Sequence, residues 1–282
     1  MSASRTPVFR VLVMVLVLAS LMGVAAAAVA PPFAFEDRND NGVFDGSDVD
    51  ITQLLLTERM FHTAHSVVVT GGPMKIPDPQ FKRTGSAGGA YIRAGKNITV
   101  LTSILAPFYA GTIVLWADDS VRVGNAVTLQ GRDYVDVYAG NDVTIGSNVK
   151  LLSSGGSANH GAAMVYSGGS VSAGANLQMT TLTEATIYSV GGDVALGTGS
   201  RFTSTRSSVS LAAATGLVAD GMRLRGARAS LTTMDGPISA RSGNISVPRS
   251  GVIQITAYRG TVDLRGTTFS VTPQVTGTAI LR

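Results

Sequence analysis

From about Ala90 onward the chain repeats itself, and this recurrence constrains the fold more than any other feature. Three short strand-like pieces return in each unit. The second piece starts at Ile98, Val121, Val143, Val171, Val194, Val218, Ile238 and Val262, at steps of 23, 22, 28, 23, 24, 20 and 24 residues. The first reads IVL at Ile113, VDV at Val135, MVY at Met164, then Ile187, VSL at Val209, Leu231 and IQI at Ile253. The third starts at Val127, Val149, Leu177, Phe202, Leu224, Ile245 and Phe269. The one long step holds the insertion SSGGSANHG (Ser153–Gly161). A fixed period of roughly 22 residues is the mark of a solenoid. Apolar and polar residues alternate within each piece, so each strand has an inner and an outer face. One unit cannot bury its inner face alone, whereas stacked units share a continuous core. The expected fold is all-β: a parallel β-helix of ~22-residue coils, right-handed by the crossover rule. Glycines after many of the second strands (Gly124, Gly146, Gly174, Gly197) predict corners that need a permissive backbone.

The N-terminus reads as an export signal. Arg5 and Arg10 precede the apolar run Val11–Met22, and AAAAVA supplies small residues for cleavage after Ala28. The expected organisation is a signal peptide at 1–28, a cap at 29–89 and the β-helix at 90–282. The expected location is extracellular or at the cell surface, with the periplasm as the alternative, and no transmembrane anchor after cleavage. The chain has no cysteine, so an exported fold must be restrained by stacked backbone hydrogen bonds or by a metal rather than by disulfides.

A candidate metal loop follows the expected signal. In DRNDNGVFDGSD, Asp37 opens a twelve-residue loop, followed at alternate positions by Asn39, Asn41, Val43 and Asp45, and closed by Asp48. Calcium takes six to eight oxygens, and alternate positions of a curled loop point them inward. Gly42 permits the turn, Val43 offers its carbonyl, and Phe44 is placed to pin the loop to the body. The other reading is an Asx-rich turn capping the next helix. The pattern D-x-N-x-N-G-x-F-D-x-x-D resembles the calcium loop of dockerin modules, and more loosely EF-hand and thrombospondin type 3 loops. DVDITQLLL resembles the helix that follows, with Ile51, Leu54 and Leu55 on one face. The loop occurs once, so calcium binding alone is carried over. Two asparagines among the ligands lower the charge and imply an affinity on the order of 10⁻⁴ to 10⁻³ M.

AGKNITV, AGNDVTIGSNVKL and VGGDVALGTGS are similar to the repeats of filamentous-haemagglutinin-type adhesins, and more distantly to bactofilins. That resemblance implies an exported structural or adhesive β-solenoid.

Charge is uneven. The precursor carries a net +4, yet from residue 201 onward every basic side chain is an arginine, and acids there are few. These Arg-rich C-terminal coils fit an anionic polysaccharide or another envelope component. Their other reading is a solvated face that keeps strand edges soluble. Interleaved aromatics of a single-strand binder are missing, so nucleic acid is not expected. The cap holds the loop, a helix near Ile51–Leu56 and the strand SVVVT, whereas the C-terminal strand GTAILR has no matching cap. That asymmetry predicts self-association through the solenoid ends, head to tail into filaments.

No catalytic residues are expected. Asp118, Asp119, Asp136 and Asp142 are the carboxylates from which a pectinase-like, carbohydrate-cleaving or carbohydrate-binding β-helix would build a site. His160 reads as an exposed loop residue, and neither G-x-S-x-G nor a P-loop occurs.

Overall fold

The computed structural model describes residues 30–77, 88–108, 111–155 and 160–280. The predicted signal segment 1–28, part of the proline-rich stretch before Ala90 and the middle of the insertion lie outside the described residues. Strand β1 (Pro32–Asp37) leads through the acidic loop to β2 (Val49–Asp50) and helix α1 (Thr52–Thr57). The coils follow. They run β3 (Met60–Thr63), β4 (Ser66–Gly71), β5 (Met74–Lys75); β6 (Gly89–Ala94), β7 (Ile98–Val100), β8 (Ile104–Ala106); β9 (Thr112–Ala117), β10 (Val121–Val123), β11 (Thr128–Gly131). The stack continues with β12 (Tyr134–Ala139), β13 (Val143–Ile145), β14 (Lys150–Ser153); β15 (Ala162–Ser167), β16 (Val171–Ala173), β17 (Gln178–Thr181); β18 (Ala185–Ser189), β19 (Val194–Leu196), β20 (Arg201–Ser204). It ends with β21 (Ser208–Ala213), β22 (Leu217–Val218), β23 (Arg223–Arg225); β24 (Arg228–Thr233), β25 (Ile238–Ser239), β26 (Asn244–Ser246); β27 (Val252–Asp263), β28 (Thr268–Phe269) and β29 (Gln274–Ile280).

Each strand pairs in parallel with its equivalents in the neighbouring coils, so the chain is a β-solenoid. The third strands form a 9-stranded sheet; the first and second strands, joined through β27, make a 20-stranded one together with β1 and β2. The core is a set of in-register columns. Ile98, Val121, Val143, Val171, Val194, Leu217, Ile238 and Val262 stack one above another, and all are buried. Where the first strand ends, the core position narrows to Ala94, Ala117, Ala139, Ser167, Ser189 and Ala213. The buried hydroxyls there satisfy carbonyls of the turning backbone: Ser189 donates to Gly169 O at 2.5 Å and Ser167 to Ser170 O at 3.0 Å. A buried polar group bonded in this way costs little, and it fixes the corner.

Several sequence-level placements shift by one step. Leu217, not Val218, faces the core; Val218 is 46% exposed. Met164 points outward, between buried Ala163 and Val165. Alternation has period two, so a slip of one residue exchanges faces. In the third sheet Phe202 aligns with Met179, Leu151 and Leu129, which makes Val127, Val149 and Leu177 an additional buried layer at the preceding turn. The coils also begin at β3 rather than near Ala90, because β3–β5 pair in parallel with β6–β8. Strand β3 carries Met60 and His62 on its outer side, so its alternation is not apparent in the sequence.

The corner glycines act differently from expectation. The left-handed backbone lies two residues later, at Ala126 (φ 56), Asn148 (φ 59), Asn176 (φ 61) and Gly199 (φ 77). Gly146 is needed for close approach instead: a Cβ there would lie 2.7 Å from the backbone N of Asn125 in the previous coil.

At the N-terminal end, β1 crosses the first coil antiparallel to β4. Its outer edge is covered by β2 and by the start of α1. Ile51 N donates to Ala34 O at 2.9 Å, and Ala34 N donates to Thr52 Oγ1 at 2.9 Å. Ile51, just before α1, and Thr52 and Leu55 within it are buried, whereas Leu54 is 39% exposed. Among the described residues no helix is long and apolar enough to cross a membrane.

Candidate functional site

The acidic loop between β1 and β2 is tightly curled around its own side chains. Asp37, buried at the end of β1, accepts from Asn41 N at 3.2 Å and Gly42 N at 2.8 Å. Asp48 accepts from Arg38 N and Asp45 N, both at 2.9 Å. Asn41 Oδ1 accepts from Val43 N at 2.7 Å. Asp45 accepts from Ser47 through its hydroxyl at 2.6 Å and its amide at 2.8 Å, and from Asn39 Nδ2 at 2.8 Å and Asn41 Nδ2 at 2.9 Å. These bonds, led by Ser47, hold the Asp45 carboxyl well below the usual carboxylate range. Gly42 adopts φ 73. The Phe44 ring packs edge-on at 5.0 Å from Phe33 and 5.5 Å from Phe35, so it does anchor the loop on β1.

Asn39, Asn41 and Asp45 therefore converge on one point. Half a turn about each amide exchanges its nitrogen for its oxygen, which would bring two carboxamide oxygens beside a carboxylate, a donor set suited to a hard cation. Asp37 and Asp48 flank this point, each already bonded to backbone amides. Val43 is largely exposed. Among the described residues no three His, Cys, Asp or Glu side chains gather as a metal group, so any cation here depends on the two asparagines.

Asp40, which carries no ligand role in the loop pattern, has φ 59 and reaches out of the loop to Ser66 Oγ at 2.6 Å and to Lys96 Nζ. Those bonds, Lys96 first, lower its pKa. They tie the loop to the coil stack, a link between residues too distant in sequence to be read there.

A second feature is the outer face of the 9-stranded sheet. Arg201 and Arg223 stand in register on adjacent parallel strands, with Gln178 and Lys150 continuing the column above. Arg201, Arg206, Arg223, Arg225 and Arg228 are exposed, and none forms an ion pair among the described residues. A shallow groove beside them is lined by Thr203, Thr205, Arg225 and Ser246. Three further C-terminal arginines are neutralised: Arg241 pairs with Asp220 at 2.6 Å, Arg259 with Asp235 at 3.1 Å and Arg265 with Asp263 at 2.5 Å, whereas exposed Arg249 has no ion pair among the described residues.

The four candidate carboxylates are dispersed. Asp118 faces Arg93 at 3.8 Å. Asp119 accepts from Asn141 Nδ2 at 2.6 Å. Asp142 accepts from Ser170 N at 2.7 Å. Asp136 projects from the outer side of β12 between Val114 and Met164, where burial raises its pKa to about 6. His160 is half-buried rather than exposed: its ring lies 5.5 Å from Tyr134 and its Nδ1 is 3.4 Å from Asp133 Oδ2.

Among the described residues β29 pairs with β27 alone at one end of the stack, while at the other end β1 covers β4, and β3 and β5 each have a single strand partner.

No family model, curated protein or solved structure matches the chain.

Proposed function

We propose that this chain is an exported structural or adhesive β-solenoid that holds an anionic envelope polysaccharide along its 9-stranded face. The observation that carries this reading is the in-register pair Arg201–Arg223, exposed and without a carboxylate partner. Like charges opposite one another on neighbouring strands destabilise a sheet. A polyanion lying across the two strands relieves that repulsion, and its attraction is screened by salt. Asp118, Asp119 and Asp142 are each held by a different partner and Asp136 stands without one, an arrangement that favours binding over cleavage.

Calcium belongs to the same reading. Asp37, Asn39, Asn41, Asp45, Asp48 and the Val43 carbonyl would hold it, in the manner of a dockerin-like loop. The ion would supply a fixed positive centre that stiffens the cap through Phe44 and Asp40. Self-association would bring the β29 end of the stack head to tail against the β3–β5 end.

The test is retention of the protein on immobilised polygalacturonate across a salt gradient, with a parallel assay for released sugar ends. The expected result is salt-sensitive retention, earlier elution of Arg201→Gln/Arg223→Gln, and no released product. Retention unchanged in the double variant, or steady release of unsaturated or reducing ends, overturns the reading.

A further inference from the structure

One continuous aromatic column runs along the outside of the 20-stranded sheet. Trp116, Tyr138, Tyr166 and Tyr188 occupy the same outward position on β9, β12, β15 and β18. Their ring centres are 5.2, 5.9 and 5.7 Å apart, with interplanar angles of 30°, 44° and 44°. The Arg93 guanidinium closes one end, 5.4 Å from the Trp116 ring centre. At the other end the column passes to Ala212 and Thr232.

Ring stacking between coils accounts for part of this arrangement, since such pairs contribute roughly 0.5–1.5 kcal/mol each. It does not account for the exposure. Trp116 is 39% and Tyr188 42% exposed, and the other exposed aromatics among the described residues, Phe44 and Tyr258, stand apart from the column.

The strip is one ring wide. At this exposure, four side chains of ~150–250 Å² each present less than about 400 Å² together. A stable protein interface needs ~800 Å² from each partner. A sugar chain suits the strip better, because the C–H faces of pyranose rings pack on aromatic faces and the coil spacing is close to the length of one sugar unit in an extended chain. Polar groups flank the rings. Asp136 and Thr186 lie in the adjacent outward column, and no donor among the described residues reaches the Asp136 carboxylate. Asp136 beside the strip, with no cationic partner, disfavours a polyanion, so its ligand differs from that of the arginine face.

We propose that Trp116, Tyr138, Tyr166 and Tyr188 form a binding strip for a neutral polysaccharide, with pyranose rings stacked along the column and a sugar hydroxyl donating to Asp136. The proposal deepens the adhesive reading, on which it rests, by assigning a second ligand class to a separate face.

Trp116 is the only tryptophan of the chain, so its fluorescence reports the strip directly. The protein is titrated with cellohexaose, chitohexaose, xylohexaose and mannohexaose, and with hexagalacturonate as the charged counterpart. A saturable change in emission with at least one neutral hexasaccharide is expected. Binding should weaken about tenfold in Tyr138→Ala, the equivalent of one lost ring contact. Tyr188→Ala, at the exposed end, should weaken it while preserving the melting curve. Retention on polygalacturonate should be unchanged in both variants. No emission change with any neutral probe, while polyanion retention persists, overturns the strip and leaves the adhesive reading standing. A change that tracks protein concentration without sugar assigns the strip to a second copy of the chain and also overturns it.

Discussion

The Cα of Gly168 lies directly against the carbonyl of Gly140 in the preceding coil: a Cβ on Gly168 would stand 1.9 Å from that oxygen. The contact is between backbones, so neither partner can yield without moving a coil. Gly168→Ala should therefore destabilise the fold by about 1–3 kcal/mol. Gly46 in the acidic loop has open space around its Cβ position, so Gly46→Ala should be close to neutral. Urea melts of the two variants make the comparison, and equal midpoints would contradict it.

Asp136 makes stability depend on pH. Burial raises its pKa from 3.8 to about 6, so the folded state binds this proton more tightly than the unfolded state. The favourable contribution of the neutral form is full below about pH 4 and is lost as pH rises through about 6. At pH 7 the ionised carboxylate is a burden, and Asp136→Asn should be more stable than the wild type by roughly 1–3 kcal/mol. The gap should close toward pH 4. Denaturant melts between pH 4 and 7 check the sign; a gap that does not change with pH would refute the assignment.

Calcium should raise the melting temperature if the loop binds it. With an affinity near 10⁻³ M, about 10 mM calcium would add roughly 1.4 kcal/mol. Asp45→Ala removes the carboxylate on which Asn39 and Asn41 converge, and its melting curve should not respond to calcium. Calorimetric scans with chelator and with calcium provide the measurement, and an identical response in wild type and variant would exclude this loop.

Removing one member of the Arg201–Arg223 pair should relieve repulsion between neighbouring strands. Arg223→Gln should gain up to ~1 kcal/mol at low ionic strength. The gain should disappear in ~1 M salt, where the screening length falls to about 3 Å. A gain that survives high salt would point to packing rather than charge.

The sequence by itself determined the solenoid. One inner residue recurring every coil, from Ile98 to Val262, is visible because a stacked parallel core needs the same apolar position in every unit. The curled loop at Asp37–Asp48 was legible for a similar reason: its contacts are local, and Gly42 and Phe44 sit where that curl requires them. What the tertiary structure decided is everything that depends on which residues meet between coils. Steps of 20 to 24 residues do not reveal whether Leu217 or Val218 faces inward, because a single-residue slip reverses every face. Gly146 reads as a turn residue, yet its role is set by the Asn125 backbone one coil earlier. Asp40 reaches Ser66 and Lys96, and Trp116 meets Tyr138. Irregular spacing separates such partners along the chain, and only register in the stacked sheet brings them into contact.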